Sequence, residues 1–275
     1  MEKYLISVII PAFNAEKTIE RAMESIKSPL TEIIVVDDGS EDNTLEICNK
    51  CMNKNENLKV FSQTNMGPYV ARNLGIKKAS GKYVMFLDSD DFYEDNTISR
   101  MKELIEKYDE PDLIRFRFKK TIDGFQQNKY FDEREKMVLN RDFKNLVYPM
   151  FLNGFMLNSL CTDCIKRQIL SNIEMNDNHI SFGEDLIHNI KIFLKINNAV
   201  FIEDVLYNYN FNQNSIVNSK NKNKKLNNLQ DIIEVYTIIY KYLIKWDMYN
   251  EENVSTLNER FKFVTTTLIN EIKNL

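Results

Sequence analysis

The chain has 275 residues, enough for one large α/β domain with or without a smaller appendage. Apolar residues make up 43% of it, so a core can form and a chain disordered throughout is excluded. The net charge of −4 argues against nucleic acid as a partner, because neutralising phosphates requires a clustered basic face. No segment is long and apolar enough to span a bilayer, and we therefore expect a cytoplasmic protein.

Strands and helices are predicted to alternate over the first hundred residues. Short apolar runs predict strands at residues 6–10, 32–36, 58–61 and 83–87. Apolar side chains at helical spacing predict helices around residues 19–26, 45–52, 68–76 and 98–108. This order is typical of a parallel sheet covered by helices on both faces, which binds ligands beyond the carboxyl ends of its strands.

The pattern changes after residue 110. Apolar side chains alternate with arginines over residues 114–118, which predicts a half-exposed strand, and Asp123-Gly124 predicts a hairpin turn. The remainder is predicted to be mainly helical, at residues 141–170, at residues 184–196, and in two helices that follow an Asn- and Lys-rich linker near residue 220.

Three carboxylates crowd into four residues directly after the fourth predicted strand. They are Asp88, Asp90 and Asp91, with Ser89 between the first two. Like charges at this spacing repel unless a cation, hydrogen bonds or solvent compensates. A divalent ion with oxygen ligands, Mn²⁺ or Mg²⁺, meets that requirement and can bridge to substrate phosphates. The alternative is an acidic turn that caps the next helix.

Two more polar segments follow predicted strands. Asp38, in Asp37-Asp38-Gly39-Ser40, can accept hydrogen bonds from a ribose or a base N–H, although a plain turn with a capping serine is the alternative. Asn65-Met66-Gly67-Pro68 leads into a helix that carries Arg72. A helix N-terminus favours anions, and an arginine there can offset the charge of a diphosphate. A surface arginine is the simpler alternative.

Gly183-Glu184-Asp185 opens the amphipathic helix predicted at residues 184–196. A carboxylate here can act as a general base if it comes within about 3 Å of an acceptor oxygen. Alternatively, the two acids only complement the helix dipole. His188 lies one turn after Asp185 and can contact it, but we expect an ordinary, partly buried histidine.

Two C-x-x-C pairs, Cys48/Cys51 and Cys161/Cys164, suggest a zinc site at first sight. Neither pair lies in a Gly-rich knuckle, and the two pairs are far apart in the chain. We therefore expect ordinary reduced thiols.

Together, these segments resemble the family 2 glycosyltransferases of bacteria, which have a GT-A fold. The resemblance covers roughly residues 5–210. It rests on SVIIPAFN from Ser7, EIIVVDDGSEDNT from Glu32, NMGPYVARNLGIKKASGKYVMFLDSDD from Asn65, and Gly183-Glu184-Asp185. Each stretch alone is weak, but their order and spacing as a set are specific. The resemblance implies a mostly parallel, Rossmann-like α/β sheet flanked by helices, to which the two helices predicted after residue 220 add a C-terminal helical extension.

The resemblance also implies roles for particular residues. Asp88 and Asp90 match the D-x-D motif, which contacts ribose, diphosphate and metal, and Asp185 matches the catalytic base of the E-D motif. Family members of this kind invert the anomeric centre by direct displacement. Four residues would line the nucleoside pocket: Pro11, Ala12, Phe13 and Asp38.

Two departures from the family pattern are visible. The Gln-x-x-Arg-Trp motif of processive members is absent, and the single tryptophan is Trp246, which argues for transfer of one sugar at a time. Many relatives carry an arginine after a Tyr-x-Tyr segment, whereas here Tyr207-Asn208-Tyr209 is followed by Asn210.

We therefore predict an inverting, metal-dependent, non-processive glycosyltransferase that uses a UDP-linked donor. The acceptor would be a saccharide, glycolipid or glycoprotein in the synthesis of bacterial surface glycans or glycoconjugates. The catalytic domain is expected at residues 1–215, with a nucleotide-sugar-binding half at 1–110 and an acceptor-binding half at 111–215. Residues 216–275 would form a helical extension that packs on the domain, contacts the inner face of the membrane peripherally, or joins a second copy of the chain.

Two other functions are weighed against this prediction. A nucleotidyltransferase also uses paired aspartates and a metal, but it would normally have a Gly-rich phosphate loop where Pro11-Ala12-Phe13-Asn14 stands. A catalytically inactive module that binds a nucleotide sugar or a partner protein is the second alternative. The intact Asp90 and Asp185 argue against it.

Overall fold

The strands of the chain form one large mixed sheet. The structure is a computed structural model that describes residues 3–152, 157–173, 180, 182–210 and 221–274. Nine strands lie within these residues: β1 (Ile6–Ala12), β2 (Thr31–Asp37), β3 (Leu58–Ser62), β4 (Tyr83–Phe86), β5 (Phe92–Tyr93), β6 (Leu113–Lys120), β7 (Glu135–Leu139), β8 (Asp163–Lys166) and β9 (Asn198–Tyr209).

Helices connect most of these strands and make up the end of the chain. A 3₁₀ turn at Asn140–Asp142 directly precedes the helix that begins at Phe143. Over the described residues the helices are α1 (Ile19–Glu24), α2 (Thr44–Met52), α3 (Pro68–Lys78), α4 (Thr97–Lys107), α5 (Phe143–Leu146), α6 (Tyr148–Leu152), α7 (Arg167–Ser171), α8 (Glu184–Phe193), α9 (Lys222–Lys245) and α10 (Glu251–Lys273).

The strand order in the sheet is β3-β2-β1-β4-β8-β6-β9-β5, and β7 pairs with β9. The pairs β1–β2, β2–β3, β1–β4 and β6–β9 are parallel, whereas β8 runs antiparallel to both β4 and β6. Strands β6 and β9 therefore point in the same direction as β1–β4. The predicted mostly parallel α/β sheet is confirmed.

Strands β1, β2 and β4 are buried because helices cover them. All seven residues of β1 and of β2 are buried, and so are all four of β4. Such continuous burial explains why apolar residues predominate in these strands. The carboxyl ends of β1–β4, β6 and β9 lie at the same edge of the sheet.

The chain folds into two compact units that are interleaved in sequence. The first comprises residues 1–137, 160–175 and 195–211, and the second comprises residues 138–159, 176–194 and 212–275. The helices predicted as an extension share the second unit with residues 138–159 and 176–194. The nucleotide-sugar-binding and acceptor-binding halves predicted from the sequence, which meet at residue 110, do not correspond to these two compact units. Their functional roles stay a prediction.

Two structural expectations for the middle of the chain are wrong. Residues 141–170 are not all helical, because β8 lies between α6 and α7 and pairs with β4 and β6. β6 is also not half-exposed, since Arg115 and Arg117 are both buried. Arg115 forms an ion pair with the equally buried Asp163 of β8, and the Arg117 guanidinium donates to the backbone oxygen of Gln127 at 2.8 Å.

Helices long and apolar enough to cross a membrane are absent from the part of the chain that the structure describes.

Candidate active site

The loops that follow β1 and β2 are fastened to each other at the carboxyl edge of the sheet. The Asn14 N–H donates to the Ser40 hydroxyl at 3.0 Å, and the Ala15 N–H donates to the Thr44 hydroxyl at 2.7 Å. In return, the Glu41 N–H donates to Asn14 Oδ1 at 2.8 Å. The two polar segments predicted to contact a donor are therefore neighbours.

The Asp38 carboxylate holds the loop after β3 against the end of β2. Its Oδ1 accepts hydrogen bonds from the Gln63 amide at 2.8 Å and from the Met66 N–H at 2.9 Å. Its Oδ2 accepts from the Gly67 N–H at 2.8 Å. Asp38 is only 3% exposed, so it fixes the loop that carries Asn65. A direct contact of Asp38 with a nucleoside stays a prediction.

Arg72 links α3 to the acidic segment. It lies in the helix that begins at Pro68, and its guanidinium donates to Asp88 Oδ1 at 2.8 Å. Arg72 is buried, whereas the Asp88 side chain remains 36% exposed. The accessible carboxylate therefore sits beside a fixed positive charge, an arrangement that suits a diphosphate bound together with a metal.

Asp91 joins the acidic segment to the end of β9. It is 1% exposed, and its Oδ2 accepts a hydrogen bond from the Tyr207 hydroxyl. Its Oδ1 accepts from the Asn210 N–H at 2.7 Å. The Tyr207 oxygen also accepts from the Asp88 N–H at 3.4 Å. The end of β9 is thus joined to the segment that follows β4.

The acidic segment concentrates negative charge. Burial raises the pKa of Asp91, and the charges of Asp88 and Asp90 raise it further, which outweighs the two hydrogen bonds that lower it. Burial also raises the pKa of Tyr209 to about 12, with contributions from the same three carboxylates. A cation bound at this segment would relieve the repulsion.

Asp88 and Asp90 suit a divalent cation that shares its coordination shell with a substrate. Both residues are half-exposed at the end of β4. Over the described ranges, no group of three or more His, Cys, Asp or Glu side chains is arranged to hold a metal by itself. Mg²⁺-like ions keep waters and take phosphate oxygens as ligands, so one or two carboxylates are sufficient. The residues present therefore fit the predicted ion.

The other predicted donor contacts lie at the same edge of the sheet. Pro11 and Ala12 are buried as the last residues of β1, and Phe13 directly after them is 45% exposed. Asn65 is exposed in the loop after β3, and Ser89 is half-exposed after β4. The structure brings these residues to one edge, and their contact with a nucleotide sugar stays a prediction.

The predicted general base lies in the second compact unit. Gly183 adopts a left-handed conformation with a φ of 93°, and α8 begins directly after it. Glu184 and Asp185 are half-buried in the first turn of α8, and His188 is buried one turn later. The base role of Asp185 and the supporting roles of Glu184 and His188 stay predictions.

Sequence reasoning missed several residues at the edge of the sheet. Arg21 donates to the backbone oxygen of Asp90 at 2.7 Å, and its guanidinium lies 4.6 Å from the centre of the Phe92 ring. Tyr207 and Asn210 were also missed as partners of Asp91. The available signal was the apolar run that ends at Tyr207, which marks a strand directed at the same edge.

Comparison with known proteins agrees with this geometry. The model of the family named Glycosyl transferase family 2 matches residues 7–172. Cholesterol galactosyltransferase of Borreliella burgdorferi is 28% identical over 94% of this chain and 84% of its own length. Poly(ribitol-phosphate) beta-N-acetylglucosaminyltransferase TarS of Staphylococcus aureus is 31% identical over 74% of this chain, which corresponds to 35% of the length of TarS.

A solved structure shares the fold. The crystal structure of S. aureus TarS in complex with UDP-GlcNAc aligns with a TM-score of 0.65 and 24% identity, over 86% of this chain and 72% of that one. The likeness shows that this chain has the GT-A fold expected from its motifs. The family match covers more than half of the chain and includes the segments after β1, β2, β3 and β4 that form the polar edge. The chain therefore belongs to glycosyl transferase family 2 and is a glycosyltransferase.

Proposed function

We propose that this glycosyltransferase moves a single sugar from a UDP-linked donor to an acceptor hydroxyl, with inversion and with the help of Mn²⁺ or Mg²⁺. The observation that carries the proposal is the ion pair of Arg72 and Asp88 at the end of β4, two residues before the half-exposed Asp90. A buried arginine beside half-exposed carboxylates provides both signs of charge that a metal–diphosphate complex requires.

The relatives support a UDP-linked donor. TarS has been crystallised with UDP-GlcNAc and with UDP, and it is a poly(ribitol-phosphate) beta-N-acetylglucosaminyltransferase. The Borreliella relative is a galactosyltransferase that acts on cholesterol. The family thus accepts different sugars and acceptors. For this chain we propose a saccharide, glycolipid or glycoprotein acceptor in the synthesis of a bacterial surface glycan.

The proposed chemistry is a single displacement. The Asp185 carboxylate accepts the proton of the acceptor hydroxyl, and the acceptor oxygen forms a bond to the anomeric carbon. The bond from that carbon to the diphosphate oxygen breaks, and the nucleoside diphosphate departs. Arg72, held by its ion pair with Asp88, adds a positive charge near the departing group.

Asp90 would hold the divalent ion. Asp88 would contact the donor beside that ion. A bound divalent ion supplies charge stabilisation for the departing diphosphate, so that no protein acid is required to protonate it. The hydrogen bonds that Asp91 accepts from Tyr207 and Asn210 keep the segment that carries Asp88 and Asp90 in place.

The donor can be identified and the base tested without knowing the acceptor. A thermal-shift panel of UDP-sugars with Mn²⁺ should identify the donor, because a ligand raises the unfolding temperature by mass action. Slow release of UDP by transfer of that sugar to water then reports the chemical step. Asp185→Asn keeps the size of the side chain but removes the basic oxygen, and we expect UDP release to fall by roughly 10²–10⁴-fold.

Two controls accompany this measurement. Binding of UDP with Mn²⁺, measured by calorimetry, should be the same in Asp185→Asn as in the wild type. Glu184→Gln should reduce UDP release less than Asp185→Asn does, since Glu184 is expected to support the site as a helix cap or an acceptor ligand and not to accept the proton. A near-normal rate in Asp185→Asn, with unchanged UDP affinity, would show that another acidic residue is the base.

A further inference from the structure

Helix α9 contacts the two residues that lead into the first turn of α8, which carries the proposed base Asp185. The Phe182 N–H, three residues before Asp185, donates to Asp231 Oδ2 of α9 at 3.1 Å. Gly183 packs against Val235, one turn further along α9. A Cβ placed on Gly183 would lie 3.2 Å from Val235 Cγ2, which is tighter than ordinary van der Waals contact. One polar and one apolar contact therefore fix the backbone that leads into α8.

Helix α9 is itself held firmly in the second compact unit. Its inner face is buried along its length, at Ile232, Val235, Tyr236, Ile239 and Leu243. It pairs antiparallel with α10, with an ion pair between Lys225 and Glu271 at one end and ring contact between Tyr236 and Phe261 at 5.0 Å in the middle. A helix packed in this way can serve as a support, because a buried face allows little movement.

The rest of α8 is anchored by other elements. Near the middle of the helix, the Asn189 side chain donates to the backbone oxygens of Leu157 and Ser159, at 2.8 and 3.2 Å. At its end, Phe193 packs edge-on against Phe143 and Phe151, with ring centroids 5.6 and 5.7 Å apart. The contacts with Asp231 and Val235 instead act on Phe182 and Gly183, which precede the first turn of α8.

We infer that α9 sets the position of the catalytic base, with Asp231 and Val235 as positioning residues. The inference rests on the proposed role of Asp185. A general base must approach its proton within hydrogen-bond distance, and a misplacement of about 1 Å can reduce the rate by about 10²-fold. By this inference, α9 contributes to the transfer reaction itself, and the C-terminal helices do more than bind the enzyme to a surface.

The test compares variants of Asp231 in the full chain. Asp231→Ala removes the acceptor of the Phe182 N–H, and we expect the kcat for UDP release from the selected UDP-sugar to fall by about 10-fold. Asp231→Asn keeps an oxygen that can accept this hydrogen bond, so it should recover most of the lost kcat. The affinity for UDP with Mn²⁺, measured by calorimetry, should be unchanged in both variants.

Val235→Ala tests the apolar contact, and Ile239→Val is its matched control. Both changes remove buried methyl groups from the same helix face, but only Val235 touches Gly183. Val235→Ala should lower kcat several-fold at unchanged UDP affinity. Ile239→Val should lower the unfolding temperature without a corresponding loss of kcat.

The outcomes separate this inference from the proposed function. If Asp185→Asn lacks activity while Asp231→Ala and Val235→Ala keep the wild-type kcat, the positioning role is wrong and the base assignment stands. If Asp185→Asn is as active as the wild type, the base assignment itself is wrong. If the losses in the Asp231 and Val235 variants only follow the unfolding temperature, as in Ile239→Val, α9 has a structural role alone.

Discussion

At the scale of single residues, the acidic segment divides its carboxylates between two tasks. Asp88 and Asp90 are half-exposed and available to a ligand, whereas Asp91 is buried with a protein donor on each oxygen. The sequence assigns Asp88 and Asp90 to a D-x-D motif but does not show that Asp91 is buried, because its burial and partners depend on β9, more than a hundred residues later. Tyr207 and Asn210 supply that information.

Tyr207→Phe tests the link between β9 and the acidic segment. The change removes the donor to Asp91 and the acceptor of the Asp88 N–H, so the segment should lose its fixed position. We expect the affinity for UDP with Mn²⁺ to fall by about 10-fold, as when a hydrogen bond to a charged group is lost. Calorimetry measures this change.

Tyr83→Phe is the matched control for this variant. The Tyr83 hydroxyl is also buried and donates to a backbone oxygen, that of Pro111 at 2.9 Å, at the opposite end of β4. Both variants should lower the unfolding temperature to a similar extent. Equal UDP affinity in the two variants would mean that Tyr207 has no role beyond stability.

Asp90→Ala tests the metal. The side chain lies at a strand end and not in the core, so the fold should remain intact while the metal-dependent part of UDP binding disappears. Asp95→Ala removes a carboxylate that is 84% exposed nearby and serves as the control. Calorimetry with and without Mn²⁺ is the measurement, and wild-type affinity of Asp90→Ala in the presence of Mn²⁺ would contradict the assignment.

At the scale of elements, β6 and β8 are joined by a charge pair that the alternating sequence pattern concealed. Arg115 and Asp163 face each other in the strand register and are both fully buried. The arginine Nε donates to Asp163 Oδ1 at 2.6 Å, and Nη2 donates to the other oxygen. Alternation of apolar and charged residues normally indicates a strand with one face in solvent. Here the arginine is buried, because Asp163 on the neighbouring strand supplies its counter-ion.

A double-mutant cycle should show how much each charge depends on the other. Arg115→Met and Asp163→Leu, made singly, each leave one buried charge without its counter-ion. We expect each to lower the free energy of unfolding by about 3–5 kcal/mol, whereas the double variant should recover much of this loss. Urea denaturation measures the cycle, and additive losses would show that the two charges are not coupled.

At the scale of the whole molecule, the part of the fold that could be predicted is the part encoded locally. Most of the alternating strands and helices up to residue 108 and the polar strand ends were visible in the sequence, because β1, β2 and β4 each contain a short run of apolar residues. The place of β8 between β4 and β6 was not visible, since a four-residue strand carries little periodic signal and its pairing is entirely long-range.

The same distinction holds for the candidate site. Segments such as Asp88–Asp91 could be located from the sequence because each of them follows a strand. The clamp that Asp38 places on residues 63–67, and the contact between Tyr207 and Asp91, required knowledge of the strand order. Sequence motifs therefore indicated which loops carry the site, and the topology determined which of their side chains support one another.

Deletion of residues 221–275 tests how function is divided over the chain. The residues proposed to bind the donor all lie in the first compact unit, whereas the deleted helices belong to the second. We expect UDP binding with Mn²⁺ to persist while solubility and oligomeric state change, and UDP release to fall if α9 positions Asp185. Calorimetry and sedimentation measure these effects. Loss of UDP binding in a truncated chain that is still folded would place the deleted helices in the donor site.

The antiparallel strand β8 has a consequence for synthesis of the chain on the ribosome. β4 and β6 both pair with β8, which is complete only when Lys166 has been made. Until then, β1–β4 form a sheet whose β4 side is an open edge, and β6 has no neighbour on either side. Open edges of apolar strands readily pair with other chains. We therefore expect the nascent chain to depend on chaperones until β8 has emerged and paired with β4.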